Sequence, residues 1–279
     1  MRYAFFGNRF YVLEAMLTAG LQVAEIGAVS GSYLARALTE KQIAFTACAN
    51  KQEFLAWLSG VKAERLITNG CPYKVPADML SRMQCINVHP SYLPDLRGAD
   101  PIPGAILFGR DSGATVHAMD AGIDTGEVIA QIKLAYDPQW NALTLYPLCF
   151  QAEVDVFKLA LARDFVPVSK QVSRGDEIYY SFKDNDLQID FAQSAQDIRR
   201  RVLAFNTPNK LARFSLEGKN IKVKNAKILP LNSSHKENEV LFITTGDMGV
   251  AKGDVALVLE FAEAVQLQLQ KGDFLHSLI

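Results

Sequence analysis

The 279-residue chain has only four cysteines, and none stands in a CxxC pair or another metal-ligand spacing. Three of Cys48, Cys71, Cys85 and Cys149 sit in or beside apolar runs, where a free cysteine behaves as a small buried hydrophobe. Reduced thiols in a cytoplasmic protein are therefore expected, with no metal. No apolar run reaches the roughly 20 residues needed to cross a bilayer, and no charged head followed by an apolar signal region opens the chain. Neither a membrane-spanning nor a secreted protein is expected. Charge of one sign is also lacking: the formal net charge is −1 and the sequence pI is near 6.4. Any contact with nucleic acid or an anionic membrane must then come from a local patch. GxGxxG is absent as well, which excludes a nicotinamide enzyme despite the pattern described next.

What is present is a hydrophobic content of 49%, enough for the cores of one large and one small domain. Apolar runs at 2–7, 23–29, 43–48, 65–68 and 85–88 read as strands. Helical spacing at 10–19, 33–40, 52–59 and 77–82 alternates with them. Repeated β-α alternation means an α/β, Rossmann-like, mostly parallel sheet with helices on both faces. A helix over 99–108, strands over 114–119 and 127–135, and a long helix over 142–162 complete this domain, expected to span 1–180. From about Val166 the character changes, through a linker-like segment. Residues 194–205 read as a capped helix, and short alternating runs at 212–216, 221–224, 240–243 and 255–260 predict a small β-rich, OB-like domain over 181–279.

In parallel sheets ligands bind outside the carboxyl ends of strands, which is where Gly7-Asn8-Arg9, Asn69-Gly70 and Asn87-Val88-His89 fall. Asn87 and His89, two apart on a strand, point the same way. A histidine exchanges a proton near neutral pH, an amide donates to a developing negative oxygen, and Asp124 in Gly122-Ile123-Asp124-Thr125-Gly126 can orient the imidazole. Taken alone, the histidine reads equally as structural and the Asp-Gly run as a turn or cation loop. Asn8 and Arg9 suit an anion beside a helix N-terminus, or a capping Asn followed by a solvated Arg. Arg97 suits a phosphate or carboxylate, or a surface salt bridge. His117 reads as structural, and His235 and His276 carry no partner signal. Between Ile198 and Pro230 nine Lys or Arg face the single acid Glu217, a patch for phosphates or a solvated face.

Together, Asn87, His89, Pro90, Ser91, Leu93, Pro94, then Arg97-Gly98 and Pro101, then Asp124 with its flanking glycines, resemble the 10-formyltetrahydrofolate-dependent formyltransferase family. The resemblance covers most of the chain and is strongest over 65–131. It implies Asn87, His89 and Asp124 as catalytic residues, and Asn69, Gly70, Cys71, Pro72, Tyr73, Ile123 and Thr125 at the folate. Asn8, Arg9, Ser91 and Arg97 are then expected at the acceptor amine. The relatives that formylate initiator methionyl-tRNA carry a long basic insertion after the second strand, which is missing here, and Leu203-Ala204-Phe205-Asn206 departs from their Arg-Ala-Phe-Asn. The resemblance therefore points to the sugar N-formyltransferases, with a nucleotide-linked amino sugar of surface polysaccharide or flagella as substrate and no tRNA partner. A glycinamide ribonucleotide formyltransferase would lack the C-terminal domain. A non-catalytic folate- or sugar-nucleotide-binding protein is the reading from another class. An exposed apolar face on the small domain would allow a homodimer.

Overall fold

The computed structural model describes residues 1–275, which form two compact units. The first comprises Met1–Pro101, Asp111–Ala135 and Pro147–Tyr180. Its strands are β1 (Tyr3–Gly7), β2 (Val23–Val29), β3 (Thr46–Cys48), β4 (Arg65–Asn69), β5 (Gln84–His89), β6 (Ser112–Ala118) and β7 (Val128–Leu134), ordered 3-2-1-4-5-6-7 across one sheet. The first five run parallel. β6 and β7 are antiparallel additions at one edge. Between the strands lie α1 (Tyr11–Thr18), α2 (Tyr33–Glu40), α3 (Lys51–Gly60), α4 (Ala77–Arg82) and α5 (Pro101–Phe108), and α6 (Ala142–Ala162) follows β7.

Period-two alternation sorts the strand residues between two cores. Tyr3 and Phe5 on β1, with Ile67, Ile86 and Val88, pack against Leu13 and Met16 of α1, Leu34 and Leu38 of α2 and Phe157 of α6. Ala4 and Phe6, with Leu66 and Cys85, pack against Phe54 and Leu58 of α3 and Met79 of α4. Strands buried on both faces read as continuous apolar runs rather than alternating ones. The sequence carries exactly that feature only in part at 43–48. There Gln42 takes φ 55°, its amide bonds Thr39 O, and the Ile43 amide returns to Leu38 O at 2.9 Å. These two bonds close α2 in a Schellman motif, so the apolar start of that run ends a helix and β3 shrinks to three residues.

The parallel order reverses direction between β1 and β4, and ligand crevices open at such a switch point. There a Cβ on Gly7 would stand 2.2 Å from Asn69 O, so only glycine lets the ends of β1 and β4 approach, and the Asn8 amide bonds Asn69 O at 3.1 Å.

The second unit gathers the residues from Ser181 on, together with Ile102–Arg110 and Tyr136–Tyr146. It is therefore discontinuous in sequence, unlike the single division at 180 that the sequence suggests. Arg199 ties one of these segments in, donating to the Pro138 carbonyl at 2.8 Å. Helix α7 (Ala195–Ala204) is capped by Ser194, whose Oγ accepts from the Asp197 amide at 3.1 Å. Then β8 (Asn206–Thr207), β9 (Lys210–Leu216), β10 (Lys219–Pro230), β11 (Val240–Ile243), β12 (Asp247–Lys252) and β13 (Val255–Phe261) form an antiparallel sheet ordered 11-12-13-10-9-8. Phe214 anchors its core, with ring centroids 5.2 Å from Phe191 and 6.3 Å from Phe261. His235 bonds Ser233 and lies 3.3 Å from Glu239; His276 lies outside the described residues. No helix among the described residues is long and apolar enough to cross a membrane.

Candidate active site

A cavity of about 360 Å³ opens in the first unit at the carboxyl ends of β1, β4 and β5. Asn87, His89 and Asp124 all line it. His89 is 5% exposed. Its Nε2 lies 2.9 Å from the Leu96 carbonyl, an oxygen that can only accept, so Nε2 carries the proton in the neutral ring. Nδ1 then presents its lone pair, 3.7 Å from Asp124 Oδ2. Burial pushes the imidazole below its ordinary value, against the pull of the Asp124 charge and the Leu96 carbonyl. That burial favours the neutral ring, poised as a base.

Burial works against the Asp124 carboxylate too. His89, His117 and the Gly98 amide outweigh it and hold the carboxyl well below its ordinary range. Gly98 donates to Oδ2 at 2.9 Å. It sits at φ 105°, where a Cβ would stand 2.5 Å from Tyr180 O, so the Arg97-Gly98 step is needed to aim this amide. Asp124 itself takes φ 55°. Gln171 holds that turn, its Nε2 donating to Asp124 O at 2.9 Å and Gly126 O at 2.8 Å.

Asn87 is fixed from three sides. Its Oδ1 accepts from Thr68 Oγ1 at 2.8 Å, and its other end faces Asp124 Oδ1, an oxygen that can only accept, so that end donates. Its Nδ2 lies 3.3 Å from Asp124 Oδ1 and 3.3 Å from His117 Nε2. His117 Nδ1 stands 2.9 Å from Ala118 O and donates there, while Nε2 faces both Asn87 Nδ2 and Asp124 Oδ1. His117, expected to be structural, is thus part of the cluster, also 3.5 Å from Asp124 Oδ1. The sequence signal for it is polar Thr115 and His117 at two-residue spacing among Ala114, Val116 and Ala118.

Other expected residues divide. Gly70, Cys71, Pro72, Tyr73 and Ile123 line the cavity, as do Asn8 and Arg9. Burial pushes the Cys71 thiol up to about 12. Arg9 is neither solvated nor free for an anion, since Nε and Nη2 grip the fully buried Glu153 carboxylate at 3.1 and 2.6 Å. Glu153 was not singled out in the sequence, where one acid in a long helix gives no signal. Nor does Asn8 cap α1, whose N-cap is Phe10.

Asn69, Ser91, Arg97 and Thr125 do not line the cavity and are engaged elsewhere. Asn69 is buried and donates to Val88 O and Glu153. Ser91 is buried and donates to Asp95 O at 2.9 Å, bracing the loop after β5. Arg97 turns to Gln171 Oε1 at 2.8 Å, because its neighbour Gly98 must face Asp124. Thr125 Oγ1 donates to Asp120 Oδ1 at 2.6 Å, closing the turn. Among the described residues no group of three or more His, Cys, Asp or Glu is placed to hold a metal ion.

A base, an ionised carboxylate and an amide donor around one cavity can accept a proton, stabilise the resulting cation and meet a developing negative oxygen. Comparison with known proteins gives the family. Residues 26–161 match formyl transferase and residues 182–273 match formyl transferase, C-terminal domain. A methionyl-tRNA formyltransferase of Legionella pneumophila is 32% identical over 216 residues, 75% of this chain and 68% of that protein. In fold, the chain is similar to an N-formyltransferase from Helicobacter canadensis solved with folinic acid and dTDP-3-aminofucose, at TM-score 0.71 and 18% identity, covering 93% of this chain and 98% of the other. It is similar also to a 4-N formyltransferase from Francisella tularensis, at TM-score 0.67 and 21% identity, covering 80% and 96%. Matched along both units, and through one relative across two thirds of that protein's length, the chain belongs to the formyl transferase family.

Proposed function

We propose that this enzyme moves the formyl group of 10-formyltetrahydrofolate to the primary amine of a nucleotide-linked amino deoxysugar. The observation that carries the reading is the convergence of Asn87, His89 and Asp124 on one cavity. The cavity suits the folate: Pro72 and the 47% exposed Ile123 offer apolar surface, and the turn at Gly70–Tyr73 offers backbone donors and acceptors for a pteridine edge.

In this reading His89 Nδ1 takes a proton from the attacking amine, and Asp124 stabilises the imidazolium that forms. Asn87 donates an N–H to the oxygen that becomes negative. That requires release of one of its two long 3.3 Å contacts, while Thr68 keeps the amide from turning. His89 then returns the proton to the departing folate nitrogen.

Two observations support a sugar acceptor. A relative in fold was solved with dTDP-3-aminofucose and folinic acid, and only Ser30, Gly31 and Ser32 separate β2 from α2, leaving no basic insertion there. Initiator methionyl-tRNA is the second reading, favoured by the names of the sequence relatives and by exposed Lys219, Lys222 and Lys224 along β10. The test is mass spectrometry after incubation with 10-formyltetrahydrofolate and a panel of UDP- and dTDP-linked 3-amino and 4-amino deoxysugars beside initiator methionyl-tRNA. One formyl group gained by a sugar, and not with His89→Ala, is the expected result. Formylation of tRNA alone selects the second reading, and no product from any acceptor favours a binding protein.

A further inference from the structure

Tyr11, Tyr33 and Phe150 form an aromatic cluster that none of the chemistry above uses. Tyr11 and Tyr33 are the first residues of α1 and α2, so they follow the carboxyl ends of the neighbouring strands β1 and β2. Their ring centroids lie 5.5 Å apart with 36° between planes. Phe150 of α6 adds a third ring, 5.7 Å from Tyr11 at 30°. The cluster adjoins the cavity through Arg9, which lines it and whose guanidinium carbon is 4.9 Å from the Phe150 ring centre.

These rings are not a misplaced piece of core. On the same helices Val12, Leu13, Met16, Leu34 and Leu38 are fully buried, whereas Tyr11 and Tyr33 remain 38% and 45% exposed. The solvent side of two adjacent helix starts therefore carries large rings where polar residues would cost nothing. The interplanar angles of 36° and 30° hold the three rings closer to stacked than to edge-on, and Tyr11 and Tyr33 keep part of their surface open to solvent. A preorganised π-surface of this kind takes another flat ring, whatever its hydrogen-bonding edge.

We infer that Tyr11, Tyr33 and Phe150 are a stacking platform for the nucleobase of the acceptor. The inference rests on the nucleotide-sugar reading above. In such an acceptor the base is separated from the reactive sugar by the diphosphate. With the amine at His89, a chain passing Asn8 and Arg9 brings the base to these rings.

The test is calorimetric binding of dTDP and UDP to the full chain with folinic acid present, for wild type, Tyr11→Leu, Tyr33→Leu and Tyr33→Phe. Leucine keeps apolar volume and removes the π-face, and phenylalanine restores it. Each leucine variant should bind both nucleotides about tenfold more weakly, a loss within the range of base-aromatic stacking. Tyr33→Phe should stay within about threefold of wild type, and affinities for folinic acid and inorganic pyrophosphate should not move. Equal nucleotide affinity in wild type and both leucine variants overturns the platform while leaving the nucleotide-sugar reading intact. Failure of wild type to bind either nucleotide, with folinic acid bound, overturns both.

Discussion

Asn87 and His117 are direct partners across the antiparallel β5 and β6 pair, and their side chains meet at 3.3 Å. Through this contact and Thr68, both ends of the Asn87 amide are held before any substrate arrives. His117→Ala should remove one contact and leave Asn87 able to swing, lowering kcat about tenfold to a hundredfold, as misplacement of a reacting group does. Folding should survive, and kcat should fall more than KM rises. Steady-state kinetics on a variant of native circular dichroism checks this; an unchanged kcat would sink the positioning role.

The pH dependence of turnover follows from the opposed pulls on His89. Burial lowers it and Asp124 raises it again. If the neutral ring is the working base, kcat/KM should fall on the acid side of a value below the ordinary histidine pKa of about 6.5. Asp124→Asn removes the attraction, so the folded His89 titrates still lower. The acid limb should therefore move to lower pH while the plateau drops by about a hundredfold or more. A limb that moves to higher pH contradicts the assignment of base and partner.

Much of this was legible in the chain. Strand runs buried on both faces announced the parallel sheet, and Asn87 and His89 at two-residue spacing announced a shared direction at a strand end. What escaped was the set of contacts that depend on register between distant strands. His117 reaches Asn87 only because β6 runs antiparallel in the observed register, and nothing local to 112–118 states that. Arg97 and Ser91 differ from the cavity-lining residues for the opposite reason. Their neighbours Gly98 and Pro90 face the cavity, whereas their own side chains turn back to brace the loop. Glu153 stands 84 residues from Asn69 and 144 from Arg9 in sequence, so a buried triad between them has no sequence pattern.

Gln171 joins Arg97 to the Asp124 turn, accepting from one and donating to the backbone of the other. Gln171→Ala should loosen Asp124 and lower kcat by about tenfold. Arg97→Lys cannot reproduce the planar fork and should cost a smaller factor in the same direction. Combined in one chain, the two changes should lose little more than Gln171→Ala alone, since both act through one contact. Fully additive losses would show that Arg97 acts elsewhere, at a substrate.

Glu153 is fully buried, its carboxylate gripped by Arg9 and Asn69. Burial raises its carboxyl above the ordinary glutamate value, with Arg9 and Asn69 pulling the other way. A raised folded pKa means that the native state binds the proton more tightly than the unfolded chain. The resulting stability is complete below the ordinary glutamate value and is lost as pH rises through the folded one. Arg9→Met strands the carboxylate and raises it further, so the variant should lose about 3–5 kcal/mol near pH 8, as broken buried ion pairs do. At pH 5, where the stranded group can hold its proton, the loss should be clearly smaller. Arg9→Met with Glu153→Gln should recover most of the difference at pH 8, because a neutral amide tolerates burial beside Asn69 better than an unpaired charge. Urea unfolding of the three proteins at both pH values measures this, and an equal deficit for Arg9→Met at pH 5 and pH 8 would show that lost packing over Phe150, rather than a stranded charge, is the cause.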